Sequence, residues 1–214
     1  MSNEDFPSAA HWDGRHRDGG VESVSWFEAN PWMSVDLISL TGLDPSTPTI
    51  DVGGGASRLV DRLLGAGWSD VTVLDVSQEA LDSVRARLAA PVPPGLQLLR
   101  ADLRTWTPDR RYGLWHDRAV FHFLVEEQDR HRYRQLLSRG LAADGVVVIG
   151  TFAADGPTQC SGRPVARYDA PALLVALGGP FDVLAERRET HRAPDGALQP
   201  FTWLALRARQ APAP

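Results

Sequence analysis

The run Thr49-Ile50-Asp51-Val52-Gly53-Gly54-Gly55-Ala56-Ser57, followed by the aspartate that closes Val71-Thr72-Val73-Leu74-Asp75, concentrates the residues of this chain most able to do chemistry. Glycines let a backbone turn tightly and approach a ligand closely, and a helix beginning after them offers unpaired N–H groups. Asp75 follows about 20 residues on, where an acid accepts hydrogen bonds from a ribose diol. Strand, glycine turn, helix and second strand make half of a nucleotide-binding βαβ unit, and adenosine is the ligand moiety they imply. Without a ligand, the same glycines would only turn a strand into a helix.

Spacing separates the adenosine cofactors. A dinucleotide fingerprint, Gly-x-Gly-x-x-Gly, would need its third glycine where this chain has Arg58. An acid two residues before Gly53 repels a pyrophosphate, yet it suits the ammonium of an amino-acid ligand. The run resembles motif I of class I S-adenosylmethionine-dependent methyltransferases, Asp/Glu-x-Gly-x-Gly-x-(Gly/small), with Ser57 in the last place. The resemblance implies S-adenosylmethionine as cofactor and S-adenosylhomocysteine as its product. The cofactor would be held by Asp51, Gly53, Gly55, Ser57, Asp75 and Val76. Asp102 and Leu103, in Arg100-Ala101-Asp102-Leu103, would meet the adenine amino group.

The elements that must position these residues alternate along the chain. Asn30-Pro31 opens a helix that runs to Leu40, cap and then proline at the first helical position. Strand 49–52 is followed by a helix from about Ala56 to Leu64, which Gly65-Ala66-Gly67 ends. After strand 71–75, Ser77 caps a helix with Ala80, Leu81, Val84 and Leu88 on one face. Pro91-Val92-Pro93-Pro94-Gly95 breaks it. Strands are expected at 96–100, 112–116 and 146–152, and helices at 129–139 and 171–177. The ranges 181–188 and 197–207 form a closing antiparallel pair. The order resembles the seven-stranded class I methyltransferase fold: α/β, Rossmann-like, doubly wound and mostly parallel, with a C-terminal antiparallel hairpin. Residues 1–30 are expected to form a lid, 31–208 the methyltransferase domain and 209–214 a tail.

The end of the fourth strand should face the reacting methyl, since ligands bind outside the carboxyl ends of such strands. Trp115-His116-Asp117-Arg118-Ala119-Val120-Phe121-His122 stands there, and it lacks the Asn/Asp-Pro-Pro-Tyr/Phe of amino-group nucleic-acid methyltransferases. His116, Asp117 and His122 are candidate bases or acceptor-holding groups. Arg118 either meets the acceptor or pairs with Asp117 or Asp75. The segment carrying Trp12, Arg15, Trp26 and Phe27 resembles the lids of small-molecule methyltransferases. Aromatic faces there suit a sulfonium cation, and Arg15 would clamp the cofactor carboxylate; otherwise the tryptophans pack on the sheet edge. Arg163 and Tyr168 lie in a loop rich in glycine and proline, placed where an acceptor would be capped. Cys160 could act as a nucleophile, but a methyltransferase needs none, because the cofactor already carries an activated methyl.

Composition narrows the alternatives. The chain has 214 residues, one cysteine and no lysine, its 22 basic residues all being arginine. Missing lysine excludes P-loop, Schiff-base and pyridoxal-phosphate chemistry. One cysteine excludes a disulfide framework and a cysteine-rich metal site, and no metal is expected. A formal charge of −5 argues against nucleic acid as partner. Arg130, Arg132, Arg134 and Arg139 read as a solvated helix face. No apolar run reaches the ~18 residues of a membrane span, and Met1–Gly20 has no secretory pattern, so a cytoplasmic protein is expected. The reading is a methyltransferase acting on a small molecule, with thiols or selenols favoured. A protein lysine methyltransferase, a nicotinamide-dependent oxidoreductase and a non-catalytic nucleotide-binding protein remain alternatives. Monomer and homodimer are both compatible with the sequence.

Overall fold

A computed structural model describes residues 7–88 and 92–209. Seven strands form one sheet: β1 (Thr49–Val52), β2 (Val71–Asp75), β3 (Leu96–Arg100), β4 (Tyr112–Arg118), β5 (Leu141–Phe152), β8 (Phe181–Arg192) and β9 (Leu198–Ala208). A two-stranded ribbon, β6 (Gln159–Cys160) and β7 (Arg163–Pro164), lies between β5 and β8 in the chain. The sheet order is β3-β2-β1-β4-β5-β9-β8, parallel from β3 to β5 and antiparallel from β5 to β8. This is the architecture the alternation implies. The order reverses between β1 and β4, which puts a crevice at the carboxyl ends of those two strands.

Alternation along the strands sorts side chains to two faces. On one, Leu114, Val146, Val148 and Trp203 pack with Leu37 of α2 (Trp32–Leu40), Leu59 and Leu63 of α3 (Leu59–Gly65), and Leu81 and Val84 of α4 (Gln78–Arg87). On the other, Ile50, Val52, Trp115 and Ile149 pack with Tyr133, Leu136 and Leu137 of α5 (Glu127–Gly140) and Leu173 and Leu177 of α6 (Ala170–Leu177). The N-terminal α1 (Ala9–Gly19) brings Trp12 against the first face.

Several boundaries differ from expectation. α3 begins at Leu59 rather than Ala56, because Gly53 (φ 63°) and Gly55 (φ 45°) hold the turn in the left-handed region, outside helical geometry. Asn30 is not a cap: Pro31 precedes the first helical residue and no side chain bonds the helix start. β5 begins at Leu141 rather than Val146, and its extra residues bulge between the Tyr112–Leu141 and Leu114–Val146 pairs. α5 is longer at both ends (Glu127–Gly140), β8 runs on to Arg192, and β9 is displaced by one residue to Leu198–Ala208. Pro91 and the tail after Arg209 lie outside the described residues.

Candidate functional site

A cleft opens where the topology places it. Its floor is the glycine turn after β1, its sides are the ends of β2 and β4, and its remaining wall is the N-terminal segment. About 1170 Å³ of space lies between the walls, open solvent at the mouth included. Of the expected cofactor residues, the cleft is lined by Asp51, Gly53, Gly55, Ser57, Asp75, Val76, Asp102, Leu103 and Trp26. Arg15 is absent from the lining and sits on the exposed side of α1. The geometry therefore does not support its expected clamp.

The floor is built for close approach. A Cβ on Gly53 would lie 2.1 Å from a Val120 methyl, and one on Gly54 would lie 2.4 Å from Asp51 Oδ2. That Oδ2 is buried and has no hydrogen-bond partner, while Asp51 Oδ1 is 2.7 Å from His116 Nδ1. Asp75 opens to the cleft but is otherwise packed by protein. Burial pushes its carboxyl up to about 7, aided by the charges of Asp51 and Asp13, against the pull of the Ser77 and Val76 backbone N–H groups. The Ser77 N–H donates to it at 2.7 Å. Burial also acts on Asp102, but its hydrogen bonds and ion pair with Arg104 outweigh that and hold the carboxyl below its usual range. An unpartnered acid oxygen over glycines, with a second acid after the next strand, matches the cationic amino-acid end and the ribose of an S-adenosyl ligand.

The acceptor side departs further from expectation. His116 lines the cleft, but both ring nitrogens are engaged, the second with Ser34 Oγ at 2.9 Å. Asp117 is fully buried on the opposite sheet face. It accepts from Tyr133 Oη at 2.6 Å and from the Val120 and Phe121 N–H groups, so it does not meet an acceptor. His122 is sealed under Phe152 and outside the cleft, and burial, then the Arg118 charge, push it down to about 3. It is held neutral and out of reach as a base. Consecutive strand residues face opposite ways, so His116 and Asp117 cannot both serve one ligand.

Arg118 lines the cleft but pairs with neither Asp117 nor Asp75. Its Nη2 lies 3.1 Å from Glu28 Oε1, and Nη1 donates to Trp26 O at 2.8 Å. Trp12 and Phe27 are on the cleft wall. Tyr168 packs against Phe121 in the core beside α6, away from the cleft, and Arg163 is on β7, its charge felt by His11. Cys160 reaches the wall, its thiol pushed up to about 11 by burial. Arg130 and Arg134 are not simply solvated: each bonds backbone carbonyls and pairs with Glu127, and Arg132 bonds Trp106 O.

Three residues of this region carried no sequence signal strong enough to single them out: Ser34, Glu28 and His16. Glu28 accepts from His191 and is ion-paired with Arg118, and these outweigh burial and keep its carboxyl low. His16 Nδ1 is buried without a partner on the cleft wall, edge-on to Trp26, with its imidazole lowered first by burial. The N-terminal segment bridges the crevice. Asp13 Oδ1 accepts from Ser77 Oγ at 2.6 Å at one end, and at the other Ser25 O lies 2.8 Å from His191 Nε2. Among the described residues no group of three or more His, Cys, Asp and Glu could hold a metal, and no helix is long and apolar enough to cross a membrane.

Comparison with known proteins agrees with this geometry. Residues 49–145 match the family profile of the methyltransferase domain. A trans-aconitate 2-methyltransferase of Rhizobium rhizogenes is 32% identical over 118 residues, 53% of this chain and 42% of that protein. Its counterpart in Mycobacterium tuberculosis is 28% identical over 141 residues, 65% of this chain and 51% of that protein. The chain thus spans about half the length of the curated relatives it matches. Among solved structures, a SAM-dependent methyltransferase from Anabaena variabilis superposes with a TM-score of 0.71 at 17% identity, covering 98% of this chain and 99% of that one.

Proposed function

We propose that this chain, whose residues 49–145 match the methyltransferase-domain profile, is a class I S-adenosylmethionine-dependent methyltransferase that methylates a small-molecule nucleophile, thiols or selenols first. The bound cofactor supplies a methyl group already activated on a sulfonium. Asp51, Asp75 and the glycine turn would hold its amino-acid end and ribose. Aligning the acceptor with the methyl is then the enzyme's main contribution.

The observation that carries the small-molecule reading is the aromatic segment spanning the crevice. Trp12 packs edge-on to both Trp26 and Phe123, and all three rings line the cleft. Such a wall suits a sulfonium and excludes water, and in this reading residues 1–30 act as the lid. The preference for sulfur or selenium rests on the acceptor side's lack of a base. His116 has both nitrogens engaged, Glu28 is ion-paired and His122 is sealed away. A thiol reaches its anion near neutral pH with little help, whereas an alcohol does not. A carboxylate also arrives as an anion. Arg118 on the cleft wall, and the similarity to trans-aconitate 2-methyltransferases, favour it as the second reading.

The test is incubation of the protein with methyl-labelled S-adenosylmethionine and a host extract, then separation of small molecules from precipitated protein. Label in a small-molecule sulfide or selenide is the expected result, and a methyl ester would establish the second reading. Label in protein would overturn both in favour of a protein acceptor. Cofactor binding without transfer would mark a non-catalytic binding protein.

A further inference from the structure

Register sets Asp51 of β1 directly opposite His116 of β4, and both side chains face α2, which supplies Ser34. The resulting chain is sealed: Ser34 is 0%, His116 2% and Asp51 2% exposed. A carboxylate only accepts hydrogen bonds. One tautomer then satisfies both ring nitrogens and the Ser34 hydroxyl, with Nδ1–H donating to Asp51 Oδ1 and Nε2 accepting from Ser34 Oγ. The order of groups is that of a hydrolase triad. Ser34 nevertheless does not line the cleft, so no substrate carbonyl can reach its oxygen.

What the chain leaves free is Asp51 Oδ2, buried without a hydrogen-bond partner against the backbone of Gly54, and both residues line the cleft. We propose that His116, backed by Ser34, is a positioning residue that fixes the Asp51 carboxylate so that Oδ2 receives the ammonium of the cofactor's amino-acid end. The inference rests on the cofactor reading above and adds a division of labour. Ser34, His116 and Asp51 read the amino-acid end, whereas Asp75 and the β2 side of the cleft read the adenosine. A carboxylate anchored through one oxygen pre-orients the other, which lowers the ordering cost of binding.

Two ligands separate these roles: S-adenosylhomocysteine, and 5′-methylthioadenosine, which keeps the adenosine and lacks the amino-acid end. Their dissociation constants are to be measured by titration calorimetry on the wild type, His116→Leu, His116→Asn and Ser34→Ala. His116→Leu should weaken S-adenosylhomocysteine by about tenfold or more, the scale of a lost bond to a charged group, and leave methylthioadenosine within about twofold. His116→Asn, which retains a side-chain N–H for Asp51, should recover most of that loss. Ser34→Ala should lower the affinity ratio of the two ligands in the same direction by a few-fold, and it decides the matter if His116→Leu does not fold. Equal weakening of both ligands, an unchanged ratio, or His116→Asn as weak as His116→Leu would overturn the proposal. A wild-type protein that binds neither ligand would instead overturn the cofactor reading.

Discussion

At the scale of residues, Asp75 governs how the cleft responds to pH. Its carboxyl is raised to about 7, burial being the largest cause, so in the unliganded protein it is largely protonated below neutrality. A ribose diol donates hydrogen bonds, and it gains most from the ionised acid. Binding therefore favours loss of the proton, and affinity rises with pH until Asp75 is ionised. Affinity for S-adenosylhomocysteine is expected to fall about tenfold per pH unit below about 7. Asp75→Asn should flatten that dependence and bind about 10–100-fold more weakly at pH 8, since bonds to a charged group contribute ~1.5–3 kcal/mol. Calorimetry between pH 5.5 and 8.5 checks both, and a flat wild-type profile would remove Asp75 from the ligand contacts.

At the scale of elements, the N-terminal segment is tied down at points that local sequence does not reveal. Asp13 accepts from Ser77 Oγ and from the Glu79 N–H, clasping α1 to the start of α4, while Ser77 Oγ in turn accepts from Ala80 N. Asp13→Ala removes this clasp without touching the sheet. Release of S-adenosylhomocysteine in stopped-flow fluorescence should quicken about 2–10-fold, the worth of one or two ordinary hydrogen bonds. The melting temperature should shift by only a few degrees; unchanged release would mean that α1 does not restrain the ligand.

The same contrast explains what was legible in the sequence. The glycine turn, Asp75 and the strand order are carried by short-range spacing and periodicity, and they stand where expected. Asp51 and His116 are 65 residues apart and meet only through the register of β1 with β4. The partner of Arg118 comes from the N-terminal segment, 90 residues earlier in the chain at Glu28 (118 less 28). Neither follows from local pattern. The opposite facing of His116 and Asp117 was legible, because period-two alternation dictates it once β4 is recognised as a strand.

At the scale of the whole molecule, the sheet separates binding from stability across its two faces. Asp51 and His116 line the cleft on one face. On the other, Trp115 Nε1 donates to Tyr133 Oη at 3.0 Å, and Tyr133 donates to Asp117 Oδ2 at 2.6 Å. This joins α5 to the central strand β4 through fully buried groups. Burial raises the Asp117 carboxyl to about 6, with the Tyr133 hydroxyl the strongest opposing influence. A raised acid contributes stability that is complete below its unfolded value and fades as pH rises through about 6. Above that pH the fold holds a buried charge that depends on its donors. Tyr133→Phe strips one of them and also orphans the Trp115 N–H, at ~1–3 kcal/mol for each unsatisfied group. At pH 8 the melting temperature should drop by roughly 5–15 °C, taking ~2–4 °C per kcal/mol for a domain of this size. The drop should be smaller at pH 5, where Asp117 is protonated and its demand for donors is less. Affinity for S-adenosylhomocysteine at 25 °C should be unchanged, because nothing on the cleft wall moves. Equal losses at the two pH values would show that Asp117 is neutral in the fold throughout, and weakened binding would show that the two faces are coupled through β4.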